Sequence, residues 1–378
     1  MFEIAIMLLP IAAASGWYFA YRHYRRATKN TAGDHGGYFK GLNYLLNEQP
    51  DKAIGVFIDL LEVDHETIEI HLALGTLFRQ RGEVEKAIRL HQNLMARPQI
   101  DQETRLNVLN ELGLDYMRAG LLDRAESIFI ELEKNVSHKV QASKQLLSIF
   151  QQEKEWQQAI TFAVKLESIN VERQPVLLSH LHCEVAIENS GNKSVLNEQL
   201  KKALKIDQGC VRANVIAAQE AMKSKDYKLA LKIWLKIENQ DIRFIPVFLN
   251  PILSCFDELN KPAKKFDFLA NLQTNTQSSI VLKQFIEALL ATKGRGEVIA
   301  FLREKLQQTA KLSYLKLYAN IDEGNDLSGE VAFLQDTIKQ LDDERLSFNC
   351  IHCGFSSNEL NWCCPSCKKW GTTQPMLT

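Results

Sequence analysis

The sequence predicts an all-α chain: a curved solenoid of stacked helix pairs, led by an apolar helix and closed by a small metal-binding ribbon. Three observations carry this prediction. A glycine–aromatic–alanine pattern recurs at about 34-residue spacing in the first part of the chain. Residues 4–21 hold no charged side chain. Five of the eight cysteines fall within residues 350–370. At 378 residues the chain has room for one extended array or about two to three compact domains.

The repeat is read from three matching stretches: DKAIGVFIDLLEVD from Asp51, EKAIRLHQNLMARP from Glu85 and DRAESIFIELEKNV from Asp123. Each opens on an acid and a base, followed by Ala53, Ala87 or Ala125. Twelve residues before each alanine stands Gly41, Gly75 or Gly113. Three residues after each glycine stands Tyr44, Phe78 or Tyr116. This is the tetratricopeptide pattern, a helix–turn–helix whose small residues let one helix press closely on the next. Gly75 to Gly113 is longer than Gly41 to Gly75, which places an insertion near ARPQIDQ. Ala159, with Phe150 at the aromatic position, continues the register. Ala203 marks a fifth repeat, and Ala230 with Trp234 a sixth. From Pro246 onward the helical period persists while the repeat marks fade. Val331, Leu334, Ile338 and Leu341 share one face of an expected last helix. The expectation is about seven to nine helix pairs over residues 38–347.

Stacked pairs present a concave surface that binds extended peptides or protein faces. No phosphate-binding loop, dinucleotide fingerprint, zinc-protease helix or nucleophile elbow occurs in the sequence. The chain is therefore expected to bind and not to catalyse. A formal net charge of −1 gives no global attraction to nucleic acid. His180 and His182 are two apart on a predicted helix and do not face each other, so they and Cys183 read as ordinary helix residues. Cys183, Cys210 and Cys255 read as buried, reduced thiols.

At 1.5 Å per residue, the uncharged run approaches the roughly 30 Å hydrocarbon core of a bilayer. Trp17, Tyr18 and Tyr21 gather at its end. Arg22, Arg25, Arg26 and Lys29 follow with no acid among them. Aromatics and then bases are the marks of a span whose following segment stays in the cytoplasm. Ala12, Ala13 and Ala14 offer a signal-peptide cleavage site instead, but Glu3 stands where a signal peptide carries bases. The expected division is a transmembrane anchor over 1–21 and a basic juxtamembrane segment and linker over 22–37. The solenoid follows over 38–347, and a metal-binding domain over 348–378. The N-terminus is expected in the periplasm and the body in the cytoplasm.

In the tail, Cys350-x-x-Cys353 and Cys364-x-x-Cys367 form two tight knuckles, with Gly354 after the first and Pro365 inside the second. Four sulfurs brought together in a tetrahedron suit one zinc or one iron ion. So small a segment buries too little apolar surface to fold alone, and a metal would supply of order 10 kcal/mol. Phe348, Phe355, Leu360, Trp362 and Trp370 are left to dock it on the final helices. A thioredoxin-like redox pair at Cys364 and Cys367 lacks the βαβ context it needs. A disulfide framework would need an exported chain. Cys363 is a fifth thiol, read as a bystander because Cys364 preserves the knuckle.

Taken in order, the anchor, the repeats and the terminal C-x-x-C-G…W-x-C-P-x-C-x-x-W resemble the lipopolysaccharide assembly protein B family of Gram-negative bacteria. The resemblance spans the chain and is most specific at Cys350, Cys353, Gly354, Trp362, Cys364, Pro365, Cys367 and Trp370. It implies a rubredoxin-like domain whose metal, iron or zinc, sits on Cys350, Cys353, Cys364 and Cys367. It also implies a non-catalytic inner-membrane regulator of lipid A biosynthesis and lipopolysaccharide assembly. Such a protein presents the committed-step deacetylase to the membrane-bound AAA+ protease FtsH and works beside other lipopolysaccharide assembly proteins. Two alternatives stay open: a rubredoxin-like electron carrier and a general scaffold for envelope-synthesis complexes.

Overall fold

The computed structural model describes residues 17–18, 37, 39–44, 46–47, 49, 52–57, 68–98, 100–169, 173–276, 278–309, 311–321 and 347–376. The chain divides into two compact units, Met1–Lys154 and Glu155–Thr378. In the first, residues 39–44 and 52–57 are helical. They precede α1 (Ile68–Gln80), α2 (Val84–Met95), α3 (Gln102–Ala119), α4 (Leu122–Glu133) and α5 (Lys139–Gln152). The second unit begins with α6 (Trp156–Ser168), α7 (Pro175–Glu188), α8 (Lys193–Ile206), α9 (Val211–Lys223) and α10 (Tyr227–Gln240). A 3₁₀ helix (Ile242–Phe248) leads into α11 (Leu249–Glu258), α12 (Pro262–Asn275), α13 (Ser279–Lys293), α14 (Arg295–Gln308) and α15 (Leu312–Ile321). Three short strands follow: β1 (Ser347–Cys350), β2 (Ser356–Ser357) and β3 (Thr373–Met376).

Within each unit, a helix packs mainly on its neighbours in sequence, as in a solenoid. The repeat glycines set the closest approaches. A β-carbon at Gly41 would collide with Phe57, and one at Gly113 would lie 2.8 Å from Phe129. At Gly75 the intruding ring is His91. All three rings are fully buried and stand sixteen residues after their glycine. The base ahead of each repeat alanine also has a task. Lys52, Lys86 and Arg124 lie over the rings of Tyr44, Phe78 and Tyr116, at 5.8, 5.5 and 5.7 Å. Each such cation–π contact contributes about 0.5–1 kcal/mol at an exposed site.

The turn inside a repeat needs one residue with left-handed backbone. Gly82 (φ 81°) and Gly120 (φ 75°) supply it after α1 and α3. Gly120 also caps α3, whose other end is capped by Asp101 accepting from the Thr104 N–H at 2.7 Å. Later turns use Lys154 (φ 62°), Lys225 (φ 59°) and Asn260 (φ 52°). The geometry continues where its usual glycine does not, one reason the repeat marks fade along the sequence.

His91 replaces the buried phenylalanine of its neighbours and brings a polar network with it. Its Nδ1 lies 2.5 Å from Asp115 Oδ2, and both side chains are fully buried. Arg79 donates to Asp115 Oδ1 at 2.8 Å and to Glu111 Oε2 at 2.6 Å. These four side chains tie α1, α2 and α3 together.

Among the described residues, no helix is long and apolar enough to cross a membrane. The expected anchor lies outside them except for Trp17 and Tyr18, which are helical and exposed. The expected helix carrying Val331, Leu334, Ile338 and Leu341 also lies outside the described residues.

Candidate metal centre and its seat

The three strands form an antiparallel sheet in the order β2-β1-β3. Phe348 pairs with Ser357 on one side and Pro375 on the other. A cysteine knuckle extends from each side of this platform, and the two are built alike. In the first, the Gly354 N–H donates to the Cys350 carbonyl at 2.9 Å and the Cys350 N–H to that of Phe355 at 2.8 Å. In the second, the Lys368 N–H donates to the Cys364 carbonyl and the Cys364 N–H to that of Lys369, both at 2.9 Å. The residue closing each knuckle is left-handed: Gly354 at φ 75° and Lys368 at φ 58°.

The matched knuckles bring four sulfurs within 4.8 Å of one another: Cys350, Cys353, Cys364 and Cys367. Cys350 and Cys367 are 3.7 Å apart, and Cys353 and Cys364 3.6 Å. A tetrahedral ion bonded to sulfur at about 2.3 Å separates its ligands by about 3.8 Å, so the group has room for one metal ion. The four cysteines named by the sequence pattern are thus brought together. Cys363 is not part of the group, and its Sγ faces the Lys368 carbonyl at 3.5 Å.

The electrostatics also fit a cation. Thr372 Oγ1, 3.2 Å from Cys350 Sγ, lowers that thiol to about 6, with the N–H groups of Cys353 and His352 assisting. The Phe355 N–H lowers Cys353. At Cys367 the Lys369 N–H pulls downward, but burial and the neighbouring sulfurs raise the thiol to about 11. Four thiolates this close repel one another unless a cation lies between them. Cys363, outside the group, is raised mainly by burial.

The described seat lies on helices far earlier in the chain. Among the described residues, the ribbon docks on α6, α7, α9 and the 3₁₀ helix; the expected last helix lies outside them. Trp370 stacks on His180 at 5.5 Å, meets Trp156 edge-on at 6.2 Å, and has the Arg212 guanidinium over its face at 5.5 Å. Trp362 lies parallel to Phe244 at 5.6 Å. Gly371 (φ 65°) presses on α7, where a β-carbon would come 2.7 Å from Val176. Arg243, gripped by Asp241, donates to Gln374 at 2.6 Å. The two tryptophans fill a recess lined by Trp156, His180, Arg212 and Phe244.

The tetratricopeptide repeat family matches residues 70–104. Lipopolysaccharide assembly protein B of Escherichia coli (strain K12) is 32% identical over 390 residues, covering 100% of this chain and 98% of that protein. The chain belongs to the lipopolysaccharide assembly protein B family. The family's protein from Haemophilus influenzae is likewise 32% identical, over 401 residues and the same shares of each chain. Among solved structures, MamA is 18% identical and covers 44% of this chain and 94% of its own, with a TM-score of 0.34.

In this family member, the seat residues His180, Arg212, Arg243, Phe244 and Trp156 escaped the sequence reading. His180, taken there for an ordinary helix residue, is 4% exposed and lies within stacking range of both tryptophans. His182 instead bonds Gln199, and Cys183 faces Cys210 at 3.9 Å. Burial, with help from Arg212, lowers His180 to about 3. Its folded pKa lies below the unfolded value, so between those values the unfolded chain binds the extra proton. Stability is full above pH 6.5 and falls as pH drops through that window. His180→Phe keeps a ring in the recess and removes the proton. From pH 6.5 to 5, the natural chain should lose up to about 1.4 kcal/mol per pH unit more than the variant in thermal unfolding. Equal losses would mean that His180 does not titrate on unfolding.

Proposed function

We propose that this chain is a non-catalytic inner-membrane adaptor of lipopolysaccharide assembly. It presents the lipid A-committing deacetylase to the membrane-bound protease FtsH and so limits how much precursor enters the pathway. The carrying observation is the end-to-end relationship, at 32% identity, with proteins named for lipopolysaccharide assembly. The helix-pair architecture supports a binding role, since stacked pairs offer protein-sized surfaces. An anchor over residues 1–21 would confine the chain to the plane where a membrane protease works and raise their effective concentration. Cys350, Cys353, Cys364 and Cys367 would hold one iron or zinc ion, whose contribution is to cross-link the two knuckles.

Cells carrying a form without residues 1–21 are expected to accumulate the deacetylase, while the shortened chain stays folded. Unchanged deacetylase levels would remove the anchored-adaptor reading. A second reading, electron transfer, is favoured by the exposure of Cys353 at the edge of the sulfur group. Reversible bleaching of a red, iron-loaded protein would support it. A colourless zinc protein would end it.

A further inference from the structure

The second unit contains a stretch far more basic than the chain as a whole, and all but one of its bases, the buried Arg212, are exposed. Residues 193–236 hold ten Lys and Arg against four Asp and Glu, a net +6 in a chain of net −1. The other residues together carry −7. On α10 the buried side is Ala230, Leu231, Trp234 and Ile237. Lys228, Lys232 and Lys236 recur every fourth residue on the opposite side, all exposed, and helical spacing puts no acid on that arc. On α8, Leu196, Leu200 and Ala203 face inward while Lys201 and Lys205 are exposed. Lys225 extends the stripe into the turn before α10.

Other lysines nearby are engaged. Lys202 pairs with Glu198 at 2.7 Å and Lys223 with Glu220 at 2.5 Å. Lys193 donates to Ser224 at 2.9 Å. That last bond ties the start of α8 to the turn before α10, so the two lysine-bearing helices begin at one edge. Among the described residues, none of Lys201, Lys205, Lys225, Lys228, Lys232 and Lys236 has an ion-pair partner.

We propose that this face lies against an anionic phospholipid surface. Lysine is a point charge on a long flexible stem, suited to a diffuse sheet of headgroups; arginine is the residue for fixed two-pronged contacts. Leu229 and Ile206 are 47% and 37% exposed beside the lysines and can enter the headgroup boundary. An acidic protein or a nucleic acid would meet the same charge, but the exposed aliphatic flanks favour lipid. Each lysine near such a surface contributes about 1 kcal/mol, enough in a group of six to hold a face down. The inference rests on the membrane reading above, because an anchor would keep the chain beside the inner leaflet.

The test reconstitutes the full chain into nanodiscs of phosphatidylcholine, with or without about 30% phosphatidylglycerol, and acetylates accessible lysines for mass spectrometry. Lys201, Lys205, Lys228, Lys232 and Lys236 are expected to react at least about threefold less in the anionic discs. Their protection should vanish at about 0.5 M salt, and Lys134 and Lys283 should not change. Changing Lys228, Lys232 and Lys236 together to Glu should also expose Lys201 and Lys205. Equal labelling in both discs, with the chain retained, overturns the proposal. So does protection by an added acidic protein or polynucleotide but not by phosphatidylglycerol. A chain that does not enter phosphatidylcholine discs sinks the anchor instead. Its flotation with phosphatidylglycerol vesicles would then support the lysine face, and its absence from them would overturn it.

Discussion

Cys364→Ser is expected to abolish metal binding by the purified chain and to loosen the ribbon, while Cys363→Ser leaves both intact. The two thiols are adjacent in sequence yet differently placed. Cys364 is fully buried with its sulfur 3.6 Å from that of Cys353. Cys363 faces a backbone carbonyl outside the group. A structural four-thiolate site contributes of order 10 kcal/mol to folding, more than a three-stranded sheet of short strands supplies alone. Elemental analysis should give one ion per chain for the natural protein and for Cys363→Ser, and close to none for Cys364→Ser. The near-ultraviolet signal of Trp362 and Trp370 should collapse in parallel, because both flank the second knuckle. Equal metal loss in both variants would show that the assigned ligand register is wrong.

Arg79→Ala is expected to destabilise the first unit by about 3–5 kcal/mol, a drop of roughly 10 °C in its unfolding midpoint. Among the described residues, the basic partners of the fully buried Asp115 are Arg79 and His91, and Arg79 also holds Glu111. Removing it leaves carboxylates in a low-dielectric setting with too few donors. Lys202→Ala, which removes one half of an exposed pair with Glu198, should cost less than about 1 kcal/mol. Similar midpoints for the two variants would mean that water reaches the Arg79 network freely.

The sequence discloses what is local and conceals what is distant. Gly41, Gly75 and Gly113 could be matched to their alanines because both lie within one repeat. The four metal-group cysteines were legible for the same reason, since each knuckle is closed by bonds spanning only a few residues. His91 was harder to read. It occupies the place of Phe57 and Phe129, and its polar partners come from α1 and α3. The seat of the ribbon was not legible at all. Arg243 and Gln374 are 131 residues apart, and no spacing rule connects Trp370 with His180. Proximity in sequence points to the final helices, whereas Trp156, His180, Arg212 and Phe244, which meet the two tryptophans, stand far earlier in the chain. Lys154, Lys225 and Asn260 hid later turns by taking a conformation that points first to glycine.

The distance between ribbon and recess also imposes an order of events during synthesis. Trp156, His180, Arg212 and Phe244 leave the ribosome long before Trp362 and Trp370. The helices bearing the recess can fold from neighbouring contacts as they emerge, but the recess stays empty until the tail is made. A nascent or prematurely terminated chain therefore exposes an aromatic, partly charged surface that the finished chain covers.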